Sequence, residues 1–355
     1  MRSPRPLVDV EAGAAARLQV YGGPVTEHQR EHRSSGLTAA ALRTARERVA
    51  PYVRPTPAVR WPLLEQLTGT ETWVKHENHT PTGAFKVRGG LNFVARLLAE
   101  TDPADLPPGL VSASRGNHSQ SLAFAGRAHG VPVTIVVPEG NSLDKIRATE
   151  ALGAEVVVHG ADFQAAVEHS RVLARERGLL PVSSFHRWMV EGVATYAAEL
   201  HEDVPGIEVV YVPIGMGSGI CANLAVRDLL GLDVEVVGVV ADAAPAYALS
   251  FAAGKPVSTE RADTFVDGVA CRTPDPDAVA AIFDGAARIV RVGEAQAAQA
   301  MTLMFRCTHN LAEPAGALAL AGLLAEKERV AGRRVAIVLT GGNVDFDVLR
   351  QAFTG

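Results

Sequence analysis

The sequence predicts an α/β protein of two lobes, each built on a mostly parallel sheet flanked by helices, with a ligand in the cleft between them. Three observations support this. Short β-branched runs alternate with Ala- and Leu-rich runs of helical period, the pattern of right-handed βαβ units. Small polar and glycine-rich loops stand at strand-to-helix junctions, where backbone amides are free to bind. Finally, 355 residues, 47% of them hydrophobic, suffice for a substantial core.

Residues 1–36 mix Pro, Gly, Arg and Glu without a sustained period and read as an N-terminal extension, flexible or loosely docked. The fold proper starts at Leu37. From there to Val53 the spacing is helical, and Pro51, Pro55 and Pro57 break it. Strands are expected where β-branched residues cluster: Thr72–His76, Leu110–Ala113, Val133–Val137, Glu155–His159, Val209–Val212, Val234–Val240, Arg288–Val292 and Val335–Leu339. Helical runs separate most of them, at Asn117–His129, Leu143–Leu152, Phe163–Arg177, Met189–His201, Ala295–Cys307 and Ala315–Lys327. The stretch Pro108–Phe185 is a self-contained block of three strands and three helices at close spacing, which suits a small lobe inserted into a larger sheet. Residues 108–186 are therefore assigned to a small domain, and 37–107 with 187–355 to a large one. After Glu313 there is room for one more strand and a short helix, so no separate regulatory domain is expected.

Composition narrows the function. A formal charge of −5 and a pI near 6.1 offer no basic field to phosphate backbones, so a small metabolite is expected as partner rather than nucleic acid. Cys221, Cys271 and Cys307 are far apart and lack CxxC spacing. That argues against a disulfide framework or zinc cluster and fits a reducing, cytoplasmic compartment. The longest uncharged stretch, Val209–Val226, contains Pro213 and three glycines and reads as strand, loop and helix, so no membrane partner is expected. The start, Met-Arg-Ser-Pro-Arg-Pro, lacks the apolar segment of a secretory signal.

Four loops carry features that a core alone does not require. In Thr80-Pro81-Thr82-Gly83-Ala84-Phe85-Lys86, the lysine near a helix start is either a solvated surface residue or an amine made reactive by the helix's positive end. In Ser112-Ala113-Ser114-Arg115-Gly116-Asn117-His118, serine and asparagine are either ordinary N-caps or, with free amides, a seat for a carboxylate. His118 is compatible with packing or with function. In Pro213-Ile214-Gly215-Met216-Gly217-Ser218-Gly219-Ile220, three glycines alternate around Met216 and Ser218, which lets several amides approach one phosphate. The loop lacks the third glycine of GxGxxG and any GK[ST] ending, so a single phosphate fits better than a dinucleotide. A nicotinamide site would also need an acidic ribose ligand after the next strand, for which Glu235 and Asp242 are a loose match. The fourth loop, Thr340-Gly341-Gly342-Asn343, is either a strand-ending turn or a threonine hydroxyl offered to a heterocyclic nitrogen.

Together these loops resemble the fold type II pyridoxal-phosphate enzymes, with their tryptophan synthase β-like fold, and among them the serine/threonine dehydratase branch that also contains serine racemase. The resemblance runs from about Leu37 to Leu349. TGAFKVRG is similar to the family's T-G-[SA]-F-K-x-R-G, which implies that Lys86 carries pyridoxal 5′-phosphate (PLP) as a Schiff base, with Phe85 beside its ring. SRGNH is similar to S-x-G-N-H and implies a substrate-carboxylate site at Ser114, Arg115, Gly116, Asn117 and His118, with Asn117 also on the cofactor's 3′-oxygen. The resemblance further implies a phosphate cup of Gly215, Met216, Gly217, Ser218 and Gly219, and Thr340 as partner of the pyridine nitrogen. Asp267-Gly268-Val269-Ala270 and Glu313-Pro314-Ala315-Gly316-Ala317 are also family-like.

SRGNHSQS looks like the dehydratase form, so the implied activity is α,β-elimination, in which a β-hydroxy amino acid of the threonine or serine type yields a 2-oxo acid and ammonia. The alternatives are a related dehydratase for phenylserine or 3-hydroxyaspartate, an amino-acid racemase, and a PLP-binding protein without activity. Arg115 departs from the usual Ala or Ser and stands where serine racemase has its second catalytic serine, which weakens the racemase alternative. It either forms a surface ion pair or engages a substrate carboxylate bidentately. Val240-Ala241-Asp242-Ala243 departs from the family's divalent-cation segment, so no metal is expected. The resemblance implies a homodimer.

Overall fold

A computed structural model of the protein describes residues 20–21 and 36–354. The extension expected over residues 1–36 thus lies outside the described residues, except for Val20, Tyr21 and Gly36. The strands are β1 (Val20–Tyr21), β2 (Ala58–Arg60), β3 (Glu71–His76), β4 (Leu110–Ala113), β5 (Val133–Val137), β6 (Glu155–Val158), β7 (Leu180–Pro181), β8 (Val209–Pro213), β9 (Glu235–Ala241), β10 (Arg288–Val292) and β11 (Arg334–Leu339). They form two sheets. The larger has the order β1-β10-β9-β8-β11-β3-β2. Its interior pairings are parallel, and the edge strands β1 and β2 are antiparallel. The smaller sheet, β6-β5-β4-β7, is parallel throughout.

Each strand expected from β-branched clustering is present, with no end moved by more than one residue. The expectation did not include β1, β2 and β7, edge pieces too short to show an alternation of faces. The block Pro108–Phe185 consequently holds a fourth strand, β7, beside the three expected. The central strands are buried on both faces, which is why they read as continuous apolar runs: all five residues of β8 are buried. The first helix is shorter than expected, Ala39–Val49, capped by Thr38 Oγ1 accepting from the Ala41 amide at 3.1 Å. Three further helices had not been expected from apolar spacing. Pro62–Thr68 starts on proline and stops at Gly69 with φ +69°. Pro276–Gly285 is capped by Asp275, and Ala246–Ala253 has small residues on most of its surface.

Helix Pro314–Ala325 is apolar all round because it is enclosed between the larger sheet and helix Glu294–Thr308. Helix Lys86–Glu100 matters most for the site. It packs between helices Asn117–His129 and Arg187–Asp203 at distances only glycine permits. A Cβ on Gly90 would collide with Ser121, and one on Gly192 would collide with the Arg88 carbonyl. Below its first turn lies a buried ionic cluster. The Arg88 guanidinium donates to Glu77 (2.8 and 3.0 Å), Glu199 (2.6 and 2.9 Å) and Thr195 (3.0 Å), and Lys75 donates to Glu199 at 2.9 Å.

Candidate active site

Lys86 is the first residue of its helix, and the loop before it is tightly held. Thr80 Oγ1 accepts from the Ala84 amide (2.9 Å) and donates to the Ala84 carbonyl (2.8 Å). Gly83 takes a left-handed φ of +68°, and its carbonyl accepts from the Gly342 amide, while the Phe85 amide donates to the Thr340 carbonyl at 3.0 Å. The first and fourth loops of the sequence are thereby stitched side by side. The half-buried Lys86 Nζ lies 3.5 Å from Ser218 Oγ and 5.3 Å from the centre of the Phe85 ring. Burial pulls the Lys86 ammonium down to about 8, against an opposing pull from Glu313. The surface-lysine alternative is excluded by this placement.

The third loop meets the lysine at the start of helix Ser218–Leu230. Gly217 has φ +98°, and a Cβ there would lie 2.9 Å from that of Ala278. A Cβ on Gly215 would collide with the Gly268 carbonyl. Among the described residues, the amides from Gly215 to Ile220 have no hydrogen-bond partner. A turn of unpartnered amides at the positive end of a helix, walled too closely for side chains, fits a single phosphate. Met216 is held by its carbonyl, which accepts from Tyr247 Oη at 2.8 Å.

The second loop starts helix Asn117–His129 with Gly116 rather than serine or asparagine at the cap position. The buried Ser114 supplies the capping oxygen instead, accepting from the amides of Ser119 (3.2 Å) and Gly116 (3.4 Å). His118 is buried and neutral: burial, with Lys86 second, drives it down to about 3, and its Nε2 has no partner among the described residues. Arg115 stands apart from the others. It is exposed, its guanidinium lies 5.8 Å from the Phe163 ring centre, and among the described residues it makes no ion pair, contrary to the surface-pair alternative. Thr340 is buried at the tip of β11, and among the described residues no hydrogen bond is made by its hydroxyl.

Side chains without an assigned role close the site. Glu313, 4% exposed, accepts from Asn117 Nδ2 at 2.6 Å. Burial, then Asp267, raises its carboxyl to about 8, while Lys145, Asn117 and Lys86 pull the other way. Asn343 Nδ2 donates to Asn117 Oδ1 at 2.8 Å. From the smaller-sheet side, Lys145 reaches Asp267 (2.5 Å) and Ser142 donates to Asp345 (2.6 Å). Glu313 and Asn343 stood in noted motifs, but only the fold brings both to Asn117. Among the described residues, no group of three His, Cys, Asp or Glu side chains is arranged to hold a metal ion, and no helix is long and apolar enough to cross a membrane.

Comparison with known proteins bears on this geometry. The family model described as pyridoxal-phosphate dependent enzyme matches residues 49–341. Over 315 residues the chain is 33% identical to an L-threonine ammonia-lyase of Thermotoga maritima, covering 88% of this chain and 77% of that one. It is 30% identical over 302 residues to an L-threo-3-hydroxyaspartate ammonia-lyase of Saccharomyces cerevisiae, covering 85% and 91%. Among solved structures, a threonine deaminase of T.th. superposes with a TM-score of 0.80 at 31% identity, covering 87% of this chain and 99% of that one.

Proposed function

This chain belongs to the pyridoxal-phosphate dependent enzymes, and from that premise we propose that it dehydrates and deaminates a β-hydroxy amino acid of the threonine or serine type, releasing a 2-oxo acid and ammonia. The observation that carries the proposal is the amine of Lys86, with its lowered pKa, beside the unpartnered amides of the glycine turn. The related activity on 3-hydroxyaspartate is the second reading, favoured by the relative of that name and by the cationic Arg115 near the carboxylate loop.

Bound PLP supplies an electron sink that makes the substrate's Cα–H acidic. In the proposed arrangement Lys86 Nζ would hold the cofactor's aldehyde carbon, and the amides of Gly215, Met216, Gly217, Ser218 and Gly219 its phosphate. Phe85 would flank the ring, Asn117 would donate to the 3′-oxygen, and the Thr340 hydroxyl would face the pyridine nitrogen. Ser114, Gly116, Asn117 and His118 would receive the substrate carboxylate at the helix start, with Arg115 swinging from Phe163 to a second carboxylate. Once free, the Lys86 amine takes the Cα proton, since with a pKa of about 8 a useful fraction is unprotonated near neutrality. The ammonium so formed is poised to return a proton to the departing β-hydroxyl, which leaves as water. The resulting enamine hydrolyses after release.

We read residues 108–186 as the small lobe that closes over substrate and 37–107 with 187–355 as the large PLP-binding domain, in a cytoplasmic homodimer. The contacts Lys145–Asp267 and Ser142–Asp345 support the lobe assignment because they bridge the two segments. The direct test is 2-oxo acid release from threonine, serine, phenylserine and 3-hydroxyaspartate. Wild type should turn over at least one of them, Lys86→Ala should lose both turnover and the bound cofactor's visible band, and Arg115→Ala should lose 3-hydroxyaspartate selectively. An active, coloured Lys86→Ala protein would refute the assignment.

A further inference from the structure

Asn117 opens helix Asn117–His129, and its side-chain amide is held at both ends. Its Nδ2 donates to Glu313 Oε1 at 2.6 Å, and its Oδ1 accepts from Asn343 Nδ2 at 2.8 Å. Asn343 Nδ2 also donates to the Thr82 carbonyl at 2.8 Å. An asparagine amide ordinarily turns over at little steric cost, exchanging a donor for an acceptor. Here it is prevented from doing so. The Thr82 carbonyl only accepts, so Asn343 must turn its nitrogen that way. The same nitrogen then meets the oxygen of Asn117, and the nitrogen of Asn117 is left facing Glu313.

Glu313 completes the chain in either ionisation state. As a carboxylate it only accepts; as a neutral acid its carbonyl oxygen still accepts, and the Asn117 oxygen that its proton would seek is occupied by Asn343. Gly341 makes room for the carboxyl, since a Cβ there would collide with Glu313 Oε1. The nitrogen of Asn117 carries two hydrogens. One is on Glu313, and the other has no partner among the described residues.

We propose that Glu313 and Asn343 are positioning residues: the directional run from the Thr82 carbonyl to Glu313 locks the Asn117 amide so that its remaining N–H, never its oxygen, is offered to the cofactor. The inference rests on the assignment of Asn117 to the cofactor's 3′-oxygen made above. A turned amide would set oxygen against oxygen, losing a hydrogen bond to a charged acceptor.

The experiment uses the purified holoenzyme and reads the visible absorption maximum and the affinity for PLP, with circular dichroism as the check on folding. Asn117→Ala, Asn343→Ala and Glu313→Leu should each shift the maximum and weaken PLP binding about tenfold, the effect of one such hydrogen bond. Glu313→Gln should restore both readouts, because the glutamine oxygen can still accept from Asn117. Two results overturn the lock: folded Glu313→Leu and Asn343→Ala proteins that keep the wild-type band and affinity while Asn117→Ala loses them, or a Glu313→Gln protein as impaired as Glu313→Leu. If Asn117→Ala itself changes neither readout, the underlying cofactor contact is wrong and the lock falls with it. Should Glu313→Leu fail to fold, the comparison of Asn343→Ala with Glu313→Gln decides alone.

Discussion

Gly217 shows how much of the site depends on a single backbone angle. At φ +98° an L side chain is strained, and its Cβ would also press on Ala278 at 2.9 Å. Relief requires the turn to move, and with it the amides that face the proposed phosphate. Gly217→Ala should therefore lower PLP affinity by about tenfold or more, a strain of roughly 1.4 kcal/mol sufficing. Spectrophotometric titration of the apoprotein checks this, and an unchanged dissociation constant would show that the turn does not hold the cofactor. The glycine alternation was visible in the sequence. Which glycine is obligatory was not, because that depends on Ala278 and Gly268, which approach from far along the chain.

At the scale of elements, the position of Lys86 depends on how its helix is anchored. Arg88, two residues on, ties helix Lys86–Glu100 to the end of β3 through Glu77 and to helix Arg187–Asp203 through Glu199 and Thr195. Arg88 and Glu77 are fully buried, so removing the guanidinium leaves two carboxylates short of a partner in the interior. Such a loss costs about 3–5 kcal/mol. Arg88→Met should reduce stability by that amount in urea unfolding, whereas removal of an exposed pair such as Arg46–Glu202 should change it by less than about 1 kcal/mol. Comparable values for the two variants would sink the argument. The sequence marks Arg88 through the TGAFKVRG motif, but its partners lie 11, 107 and 111 residues away, and no local pattern connects them.

For the whole molecule, the buried titratable groups shape the pH dependence of stability. His76 accepts from Trp61 Nε1 at 3.1 Å, which requires a neutral imidazole, and burial, with His79 second, pulls it down to about 4. His118 is pulled down to about 3. Below the unfolded value of about 6.5 the unfolded chain binds protons that these folded histidines refuse, so stability falls as pH is lowered. Glu313 acts with the opposite sign. Its carboxyl, raised to about 8, holds a proton that the unfolded chain releases above about 4.5, so its contribution is lost as pH rises toward 8. With His201, which burial likewise pulls down to about 4, the histidines outweigh the glutamate below about pH 6.5; above it the glutamate dominates until Lys86, lowered to about 8, begins to oppose it. Thermal melting between pH 4 and 8 should thus peak near pH 6.5, and Glu313→Gln should flatten the alkaline limb. A melting temperature that climbs steadily to pH 8 in the wild type would contradict this.

The sequence by itself determined the α/β class, the parallel arrangement, the positions of the principal strands along the chain and the four loops that carry the candidate residues. These are properties of hydrophobic period and turn composition, which are written locally. The structure alone decided that Lys86 and Ser218, 132 residues apart, lie side by side, that Ser114 rather than a residue at the cap position caps the start of helix Asn117–His129, and that Arg115 rests on Phe163. It also decided the partners of Asn117, which come from 196 and 226 residues downstream. Hydrogen bonds and burial depend on which segments the sheet order brings together, and that order is settled by packing the entire chain at once.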